Sequence, residues 1–376
     1  MNTHRVILRA NDTVSVLRQP TVPPAAGELS VATAVAGLCG TDVQMLRGLR
    51  DDPAPVIGHE GIATVVAAGL GVGPELMPGT LVAVNPTHPT DSRFLLGHNV
   101  NGLLQERTLL PETAVSGGLV LPLPPGTDVA LGPLLEPLAV VCYSFGVLRA
   151  VRPRTLLVVG DGTVGHLAVR AARRLLGEHV RTVLVHHTAA GRAFSATAAH
   201  RADMLLDAGG LAELRCPGER VAALLCTPRD ATVEALEAVL GIGADVLTVD
   251  VIGGLPTGAG TPLLPGADLV AIRAANCAGL PQPAETATLT TSDGQEVTVF
   301  GHRGVANLHL VESAGELAAD PYRYGDLVTH VVDLESAARI MAQLARSRAR
   351  TVGGRRLIKL GVRVNHRIET EGTDGG

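Results

Sequence analysis

Residues 155–165 read TLLVVGDGTVG, and this stretch decides the fold of the chain. Its first residues are apolar and β-favouring, and they lead directly into Gly160, Gly162 and Gly165, which have the spacing G-x-G-x-x-G. Leucine and alanine then recur at helical spacing over residues 166–176. The pattern therefore predicts a β-strand, a tight glycine turn and an α-helix, in that order.

A strand, glycine turn and helix in this order are typical of a dinucleotide-binding site. Gly160 would allow the tight turn, Gly162 would let a pyrophosphate approach the backbone, and Gly165 would let the helix pack against the strand. We expect the phosphates at the N-terminus of the helix, near Thr163 and Val164, where backbone N–H groups have no partner within the helix.

The residues after the second strand of such a unit discriminate between NAD and NADP. An acidic residue there usually binds the ribose 2′-hydroxyl of NAD, but residues 185–192 read VHHTAAGR and contain no carboxylate. His186, Thr188 and Arg192 could instead meet a 2′-phosphate, so the sequence favours NADP. Asp161, inside the glycine turn, would repel a pyrophosphate, and we expect its side chain to point to solvent.

Composition excludes several other functions. The chain of 376 residues has a formal net charge of -5, so it lacks the basic patch of a nucleic-acid-binding or membrane-surface protein. We expect no signal peptide and no membrane span, since no apolar run approaches the ~20 residues that a span needs. The cysteines are odd in number and scattered, which favours a cytoplasmic protein without disulfides. Lys359 is the only lysine, which argues against lysine-based catalysis.

The order of elements predicts a dinucleotide-binding domain in the middle of the chain. Strands and helices alternate from residue 155 onward, which indicates a doubly wound parallel sheet with helices on both faces. The segment before it is rich in strands and turns, and it is expected to fold together with the C-terminal segment. The first part of a catalytic domain is predicted at residues 1–148, and the cofactor domain at residues 149–304. The chain is predicted to return to the catalytic domain at residues 305–364 and to end in a disordered tail at residues 365–376.

Side chains in the first part of the chain suggest a metal site. The ligand types that zinc prefers occur at Cys39, His59, Glu60 and Glu136. A catalytic zinc site uses three protein ligands and leaves one position open. Asp42 could bond the second ring nitrogen of His59 and set its tautomer, and Thr41 could relay a substrate proton. Spacing alone is weak evidence here, because a lone cysteine is more often a small buried apolar residue.

Taken together, these motifs resemble the zinc-dependent medium-chain dehydrogenase/reductase family, in its polyol, threonine and glucose dehydrogenase branch. The motifs that carry the resemblance are Cys39-Gly-Thr-Asp, Gly58-His59-Glu60, Glu136-Pro-Leu and the glycine turn, within residues 5–362. The resemblance implies an α/β fold, with a GroES-like β-rich catalytic domain and a doubly wound Rossmann domain. It further implies that Cys39 and His59 bind zinc, while Glu60 or Glu136 supplies a third ligand or holds the metal-bound water.

Two departures from the family pattern change these expectations. Relatives often hold a second zinc with four cysteines in the region of residues 85–105, which here contains none. His88, Asp91 and His98 do not replace four thiolates, so we predict one catalytic zinc and no structural zinc. Relatives often have histidine at the position of Gln44, and an amide cannot shuttle a proton, so the relay beyond the threonine stays open.

The expected function is a zinc-dependent alcohol dehydrogenase that moves a hydride between NAD(P) and a secondary alcohol, such as a polyol, sugar or cyclitol. Thr41, Cys39 and His59 are its expected catalytic residues. Arg303 lies where relatives pass the nicotinamide, and it could contact the cofactor or lie on a solvated loop. The alternatives are a zinc-free quinone-type reductase on the same fold and a catalytically degenerate NADP-binding sensor. The resemblance also implies a homodimer or homotetramer.

Overall fold

The computed structural model describes residues 2–10 and 13–365, and it divides into two units. One unit comprises Met1–Glu136 and Leu310–Gly376, and the other comprises Pro137–His309. The domain boundaries predicted after residues 148 and 304 lie close to these limits and stay predictions. The predicted disordered tail lies outside the described residues, apart from Asn365.

Short strands outnumber helices along the chain. The strands are β1 (Thr3–Ala10), β2 (Thr13–Pro20), β3 (Leu29–Gly37), β4 (Glu60–Ala68), β5 (Leu81–Val84), β6 (Thr108–Leu110), β7 (Val120–Pro122), β8 (Thr155–Val159), β9 (Arg181–His186), β10 (Met204–Asp207), β11 (Arg220–Leu225), β12 (Val246–Asp250), β13 (Asn276–Cys277), β14 (Ala287–Thr290), β15 (Glu296–Phe300), β16 (His302–Arg303), β17 (His330–Val332), β18 (Thr351–Val352), β19 (Arg355–Arg356) and β20 (Leu360–Arg363). The helices are α1 (Gly40–Leu46), α2 (Glu112–Ser116), α3 (Gly132–Leu148), α4 (Thr163–Leu176), α5 (Ala189–Thr197), α6 (Ala208–Glu213), α7 (Thr232–Leu240), α8 (Leu269–Ala274), α9 (Asn307–Ala319), α10 (Pro321–Gly325) and α11 (Leu334–Arg346).

In the first unit, β3 is the central strand of a mixed sheet. Within the described residues the sheet has the order β17-β20-β3-β4-β5-β7, and β6 also pairs with β3. The sequence LSVATAVAG explains this position, because a continuous run of small and apolar residues can be buried on both faces. Every residue of β3 is buried. The strand is therefore a fixed frame for the residues that follow it.

A short helix follows that strand. Helix α1 begins after Cys39, whose backbone N–H donates to Oδ2 of Asp42 at 2.8 Å. This bond closes the first turn, and Val43, Met45 and Leu46 are buried. Seven residues are too few to establish helical periodicity in a sequence, so burial against the rest of the unit stabilises this helix.

The second unit contains the predicted doubly wound sheet, in the order β10-β9-β8-β11-β12-β15-β14. All neighbours pair in parallel except β14 and β15, which are antiparallel. The α/β fold class is thus confirmed, with a correction at this edge. The connection between β14 and β15 spans only residues 291–295, which is too short for the crossover that parallel strands need.

One helical segment contradicts the expectation that no apolar run approaches the length of a membrane span. Val129–Val151 is helical over 23 residues, with a mean hydropathy of 1.6 in its most apolar window. By length and composition alone it could cross a membrane, but 83% of that window is buried inside the protein. This burial is typical of a core helix, which needs an apolar surface on all sides.

A buried carboxyl group lies at the end of β12. The side chain of Asp250 is 0% exposed, and its Oδ2 lies 3.8 Å from Nε2 of His302. The Nδ1 of His302 donates to the carbonyl oxygen of Gly304 at 3.1 Å, so Nε2 carries no proton when the ring is neutral. Burial raises the pKa of Asp250 to about 7 and lowers the pKa of His302 to about 4. Near pH 6 both groups are therefore neutral.

We predict that Asp250→Asn gains stability relative to the wild type as the pH rises. The unfolded carboxyl ionises near pH 4, but the folded one resists ionisation until about pH 7. The free energy of unfolding of the wild type therefore decreases as the pH rises from about 4 to about 7. Asparagine does not ionise, so the variant does not undergo this decrease. Urea unfolding at pH 5 and pH 8 should show a relative gain of about 2–3 kcal/mol. Asp245→Asn, at an exposed aspartate before the same strand, is the control. An equal difference at both pH values would contradict this prediction.

Candidate metal and dinucleotide sites

Three potential metal ligands lie together in the first unit. One ligand atom from each of Cys39, His59 and Glu60 lies within 4.8 Å of the others. Strand pairing explains this proximity, because Gly37 at the end of β3 lies opposite Glu60 at the start of β4. Cys39 and His59 are the residues just beyond this pair. Thiolate, imidazole and carboxylate are all zinc donors, so the residues fit a zinc ion.

Gly58 allows the chain to turn before His59. Its φ is +97°, and a Cβ there would lie 2.8 Å from Cγ of Leu104. A larger residue would be strained in this backbone conformation and would collide with the leucine. The glycine in the predicted Gly58-His59-Glu60 motif thus determines where the imidazole lies.

The residues of α1 bond the ligand candidates. The hydroxyl of Thr41 donates to Sγ of Cys39 at 3.1 Å. Oδ1 of Asp42 lies 3.5 Å from Nδ1 of His59, and neither atom has a hydrogen-bond partner among the described residues. An acceptor and a ring nitrogen that face each other in this way suit a histidine that binds metal through its other nitrogen.

The charges of His59 and Asp42 shift each other's pKa. Burial alone would lower the pKa of His59, but the negative charge of Asp42 raises it well above its usual value. For Asp42, burial opposes ionisation, and the interaction with His59 outweighs it and lowers the pKa. A metal must therefore displace a proton from His59, so metal affinity should fall as the pH falls.

Lys359 contacts the candidate site, and sequence reasoning did not place it there. Its Nζ forms a close ion pair with Oε2 of Glu60, and both side chains are almost fully buried. Nζ also lies 3.4 Å from the carbonyl oxygen of Leu38. The lysine directly precedes β20, which pairs with β3 at Gly37. The available signal was that a chain with a single lysine places it in an apolar stretch, LIKLGV.

Glu136, the other predicted carboxylate, lies outside the group of three ligands within the described residues. It belongs to α3 and is partly exposed. Burial of the carboxyl group and, next, the negative charge of Glu60 raise its pKa to about 7. The structure therefore groups Glu60 with the cysteine and the histidine, and a role for Glu136 stays a prediction.

The predicted absence of a structural zinc stays a prediction. Nδ1 of His98 donates to Oδ2 of Asp52 at 2.9 Å, and its ring centroid lies 4.9 Å from that of His59. Nδ1 of His88 accepts from the backbone N–H of Asp91 at 2.8 Å. Both histidines thus bond other residues of the protein, and the described residues contain no second group of metal ligands.

In the second unit, the glycine turn has the geometry that its spacing predicts. Gly160 has a φ of +119°, and a Cβ there would lie 2.3 Å from the carbonyl oxygen of Cys226. A Cβ on Gly165 would lie 1.9 Å from the carbonyl oxygen of Gly160, so α4 packs closely on the turn. By contrast, a Cβ on Gly162 would meet no atom within 4 Å. The turn therefore leaves its backbone accessible at the start of α4, as a bound pyrophosphate requires.

The three residues expected to contact a 2′-phosphate lie in different surroundings. His186 is buried, with Nδ1 3.0 Å from the carbonyl oxygen of Leu206 and Nε2 2.8 Å from Oγ of Ser195. Its predicted contact with a phosphate stays a prediction, and it would require the ring to give up one of these partners. Thr188 caps α5, and the side chain of Arg192 is 53% exposed.

Asp161 and Arg303 complete the set of residues expected near the dinucleotide. Asp161 does not point to solvent as expected, since the residue is only 6% exposed. Its Oδ2 lies 1.7 Å from the position that a Cβ on Gly191 would take, so its carboxylate packs against α5. Arg303 is exposed at the end of β16, and a contact with cofactor or substrate stays a prediction.

Known proteins share parts of this sequence. The model of the alcohol dehydrogenase GroES-like domain matches residues 25–125. A 2-dehydro-3-deoxy-L-galactonate 5-dehydrogenase from Pseudoalteromonas atlantica is 26% identical over 45% of this chain and 52% of its own length. A glucose 1-dehydrogenase from Thermoproteus tenax is 28% identical over 44% of this chain and 52% of its own length. The chain thus spans about half the length of the curated relatives that it matches.

A solved structure shares the whole fold. The putative zinc-binding dehydrogenase from Sinorhizobium meliloti, bound to NADP, has a TM-score of 0.73 with 19% sequence identity. The match covers 96% of this chain and 99% of that one. The combination of a β-rich unit with a doubly wound unit is therefore an architecture already seen in a dinucleotide-bound protein.

We predict that Lys359→Met destabilises the metal-free protein by about 3–5 kcal/mol, because it leaves the buried carboxylate of Glu60 without its partner. The double variant with Glu60→Gln should recover most of that loss, since it buries no unpaired charge. Urea unfolding after chelator treatment measures both. Arg363→Met, at an exposed cation in β20, is the matched control and should change stability by less than about 0.5 kcal/mol. A double variant as unstable as the single one would refute the explanation.

Proposed function

We propose that this chain is an alcohol dehydrogenase and that it uses a nicotinamide dinucleotide, because it belongs to the zinc-type medium-chain dehydrogenase family. The observation that carries the proposal is the group of Cys39, His59 and Glu60, whose ligand atoms lie within 4.8 Å of one another. The same chain has a glycine turn with open space at Gly162. A metal donor set and a dinucleotide turn together favour hydride transfer at an alcohol carbon.

The three grouped side chains would hold zinc. When bound, zinc would polarise the substrate oxygen, and the nicotinamide would exchange the hydride. Asp42 would accept a hydrogen bond from Nδ1 of His59, which leaves the other ring nitrogen for the metal. The hydroxyl of Thr41, which contacts Sγ of Cys39, would pass the proton of the alcohol toward solvent.

The ion pair of Lys359 with Glu60 contributes a charge to this centre. A cysteine thiolate and a glutamate carboxylate would together neutralise the charge of a divalent zinc ion. Because the lysine ammonium offsets the carboxylate, it makes the centre more positive by one charge than it would be without the lysine. That charge would stabilise an alkoxide, so the lysine would favour loss of the proton from the alcohol.

The proposed substrate is a secondary alcohol of the polyol, sugar or cyclitol class. The curated relatives from Pseudoalteromonas atlantica and Thermoproteus tenax are named for a sugar acid and for glucose, which supports a polyhydroxylated substrate. The zinc-free reductase and the catalytically degenerate sensor remain outcomes of the metal and turnover measurements. A cytoplasmic location, which the scattered cysteines favour, and a homodimer or homotetramer, which the resemblance implies, are also part of the proposal.

The choice of dinucleotide rests on few side chains. NADP was predicted from His186, Thr188 and Arg192, and both ring nitrogens of the histidine have partners within the protein. Thr188 accepts the N–H of Gly191, while Arg192 lies 3.9 Å from Oδ2 of Asp207. Only the arginine among the three could offer a positive charge to a phosphate, so the preference for NADP is a prediction that depends on it.

We predict about one zinc per chain in protein purified without chelator. Cys39→Ser should lose most of the metal and at least about a hundred-fold in turnover, because a hydroxyl binds zinc far less well than a thiolate. Cys277→Ser, at a partly buried cysteine in the other unit, should keep both. Metal content and turnover are measured on a panel of polyols and cyclitols with both coenzymes.

The outcomes separate the alternatives. Full turnover of Cys39→Ser would rule out the mechanism. Absence of zinc with intact dinucleotide binding would favour the zinc-free reductase if a substrate turns over, and the sensor if none does. Two zinc ions per chain would show that the prediction for residues 85–105 is wrong.

A further inference from the structure

We propose that Asp161 is a specificity-determining residue, and that its carboxylate makes the dinucleotide site select NAD over NADP. The inference rests on the proposed function, because it concerns the coenzyme of that same site. It reverses the preference predicted from the sequence, and it depends on where the glycine turn directs one side chain.

The sequence around β9 is misleading because the carboxylate comes from elsewhere. An acidic residue at the end of the second strand normally distinguishes the two coenzymes, and residues 185–192 contain none. Asp161 lies instead between the first two glycines of the turn after β8. The backbone N–H of Gly160 donates to the carbonyl oxygen of Val185 at 3.0 Å, so this turn lies directly beside the end of β9.

The carboxylate of Asp161 reaches the first turn of α5. Its Oδ2 lies 1.7 Å, and its Cγ 2.9 Å, from the position of a Cβ on Gly191. The hydroxyl oxygen of Thr188, which caps α5, lies 3.2 Å from the same position. Position 191 therefore has to be glycine for the carboxylate to lie here, and the residue is only 6% exposed.

Without this carboxylate, the start of α5 would be a favourable electrostatic position for a 2′-phosphate. The ribose of the adenosine half is expected at the end of β9, and the start of α5 would offer a phosphate the positive end of a helix dipole. A buried carboxylate already occupies that end. It would repel the two charges of a 2′-phosphate in a medium that screens poorly, whereas a ribose hydroxyl carries no charge to be repelled.

A cation at this edge, Arg192, is already engaged. The guanidinium of Arg192 lies 3.9 Å from the carboxylate of Asp207, which ends the neighbouring strand β10. Both side chains are more than half exposed, so solvent screens the arginine more than it screens Asp161. The balance near the end of β9 therefore favours a neutral ribose.

Equilibrium binding of NADH and NADPH to the zinc-loaded protein tests the proposal, with nicotinamide fluorescence or calorimetry as the readout. The ratio of the two dissociation constants is the relevant quantity, because any change at the pyrophosphate affects both coenzymes equally. We expect the wild type to bind NADH at least ten-fold more tightly than NADPH. Asp161→Asn should lower that ratio at least ten-fold, mainly by strengthening NADPH binding.

Two further variants keep the test decisive. Gly191→Ala retains the charge but displaces the carboxylate, so it should shift the ratio in the same direction as Asp161→Asn. Glu213→Gln removes an exposed carboxylate at the end of α6, in the same unit, and should leave the ratio within about two-fold of the wild type. Thermal unfolding confirms that each variant is folded.

Several results would overturn the proposal. These are a wild type that prefers NADPH, an unchanged ratio in Asp161→Asn, or an equal shift in Glu213→Gln. A wild type that binds neither coenzyme would overturn the proposed dehydrogenase function as well. Tight binding of NADPH would leave that function standing and refute only the role of Asp161.

Discussion

The register between three strands is the constraint on which the candidate metal centre depends. Gly37 pairs with Glu60 on one side of β3 and with Gly361 on the other. This register brings a cysteine, a histidine, a glutamate and a lysine from three distant parts of the chain within reach of one another. A slip by one residue would turn these side chains to the opposite face. The continuous burial of β3 opposes such a slip.

Charges buried beside that frame explain much of its chemistry. Glu60 and Lys359 compensate each other where water is excluded, and Asp42 does the same for His59. In the other unit, burial outweighs the attraction of Arg273, and Asp250 resists ionisation instead. The cost of burying a carboxylate is thus offset in two ways. The carboxylates at the metal centre form ion pairs, and the one at the end of β12 stays protonated.

Sequence patterns predicted what depends on neighbours in the chain. The glycine turn, its flanking strand and helix, and the doubly wound sheet follow from local periodicity and glycine spacing. The grouping of Cys39 and His59 came from resemblance, since nothing in their spacing requires it. What could not be predicted depends on distant contacts: the partner of Lys359, the direction of Asp161, and the bonds of His186. Each follows from where a strand or turn lies in three dimensions.

The single lysine has a practical consequence for anyone who handles the protein. Lys359 is 1% exposed and in close contact with a carboxylate, so the folded chain presents no lysine ε-amino group to solvent. Amine-directed dyes, cross-linkers and immobilisation resins would find no lysine to modify on the native surface. Conversely, the appearance of label on this residue would report that the edge formed by β3 and β20 has opened. The chain therefore carries a built-in chemical reporter of its own unfolding.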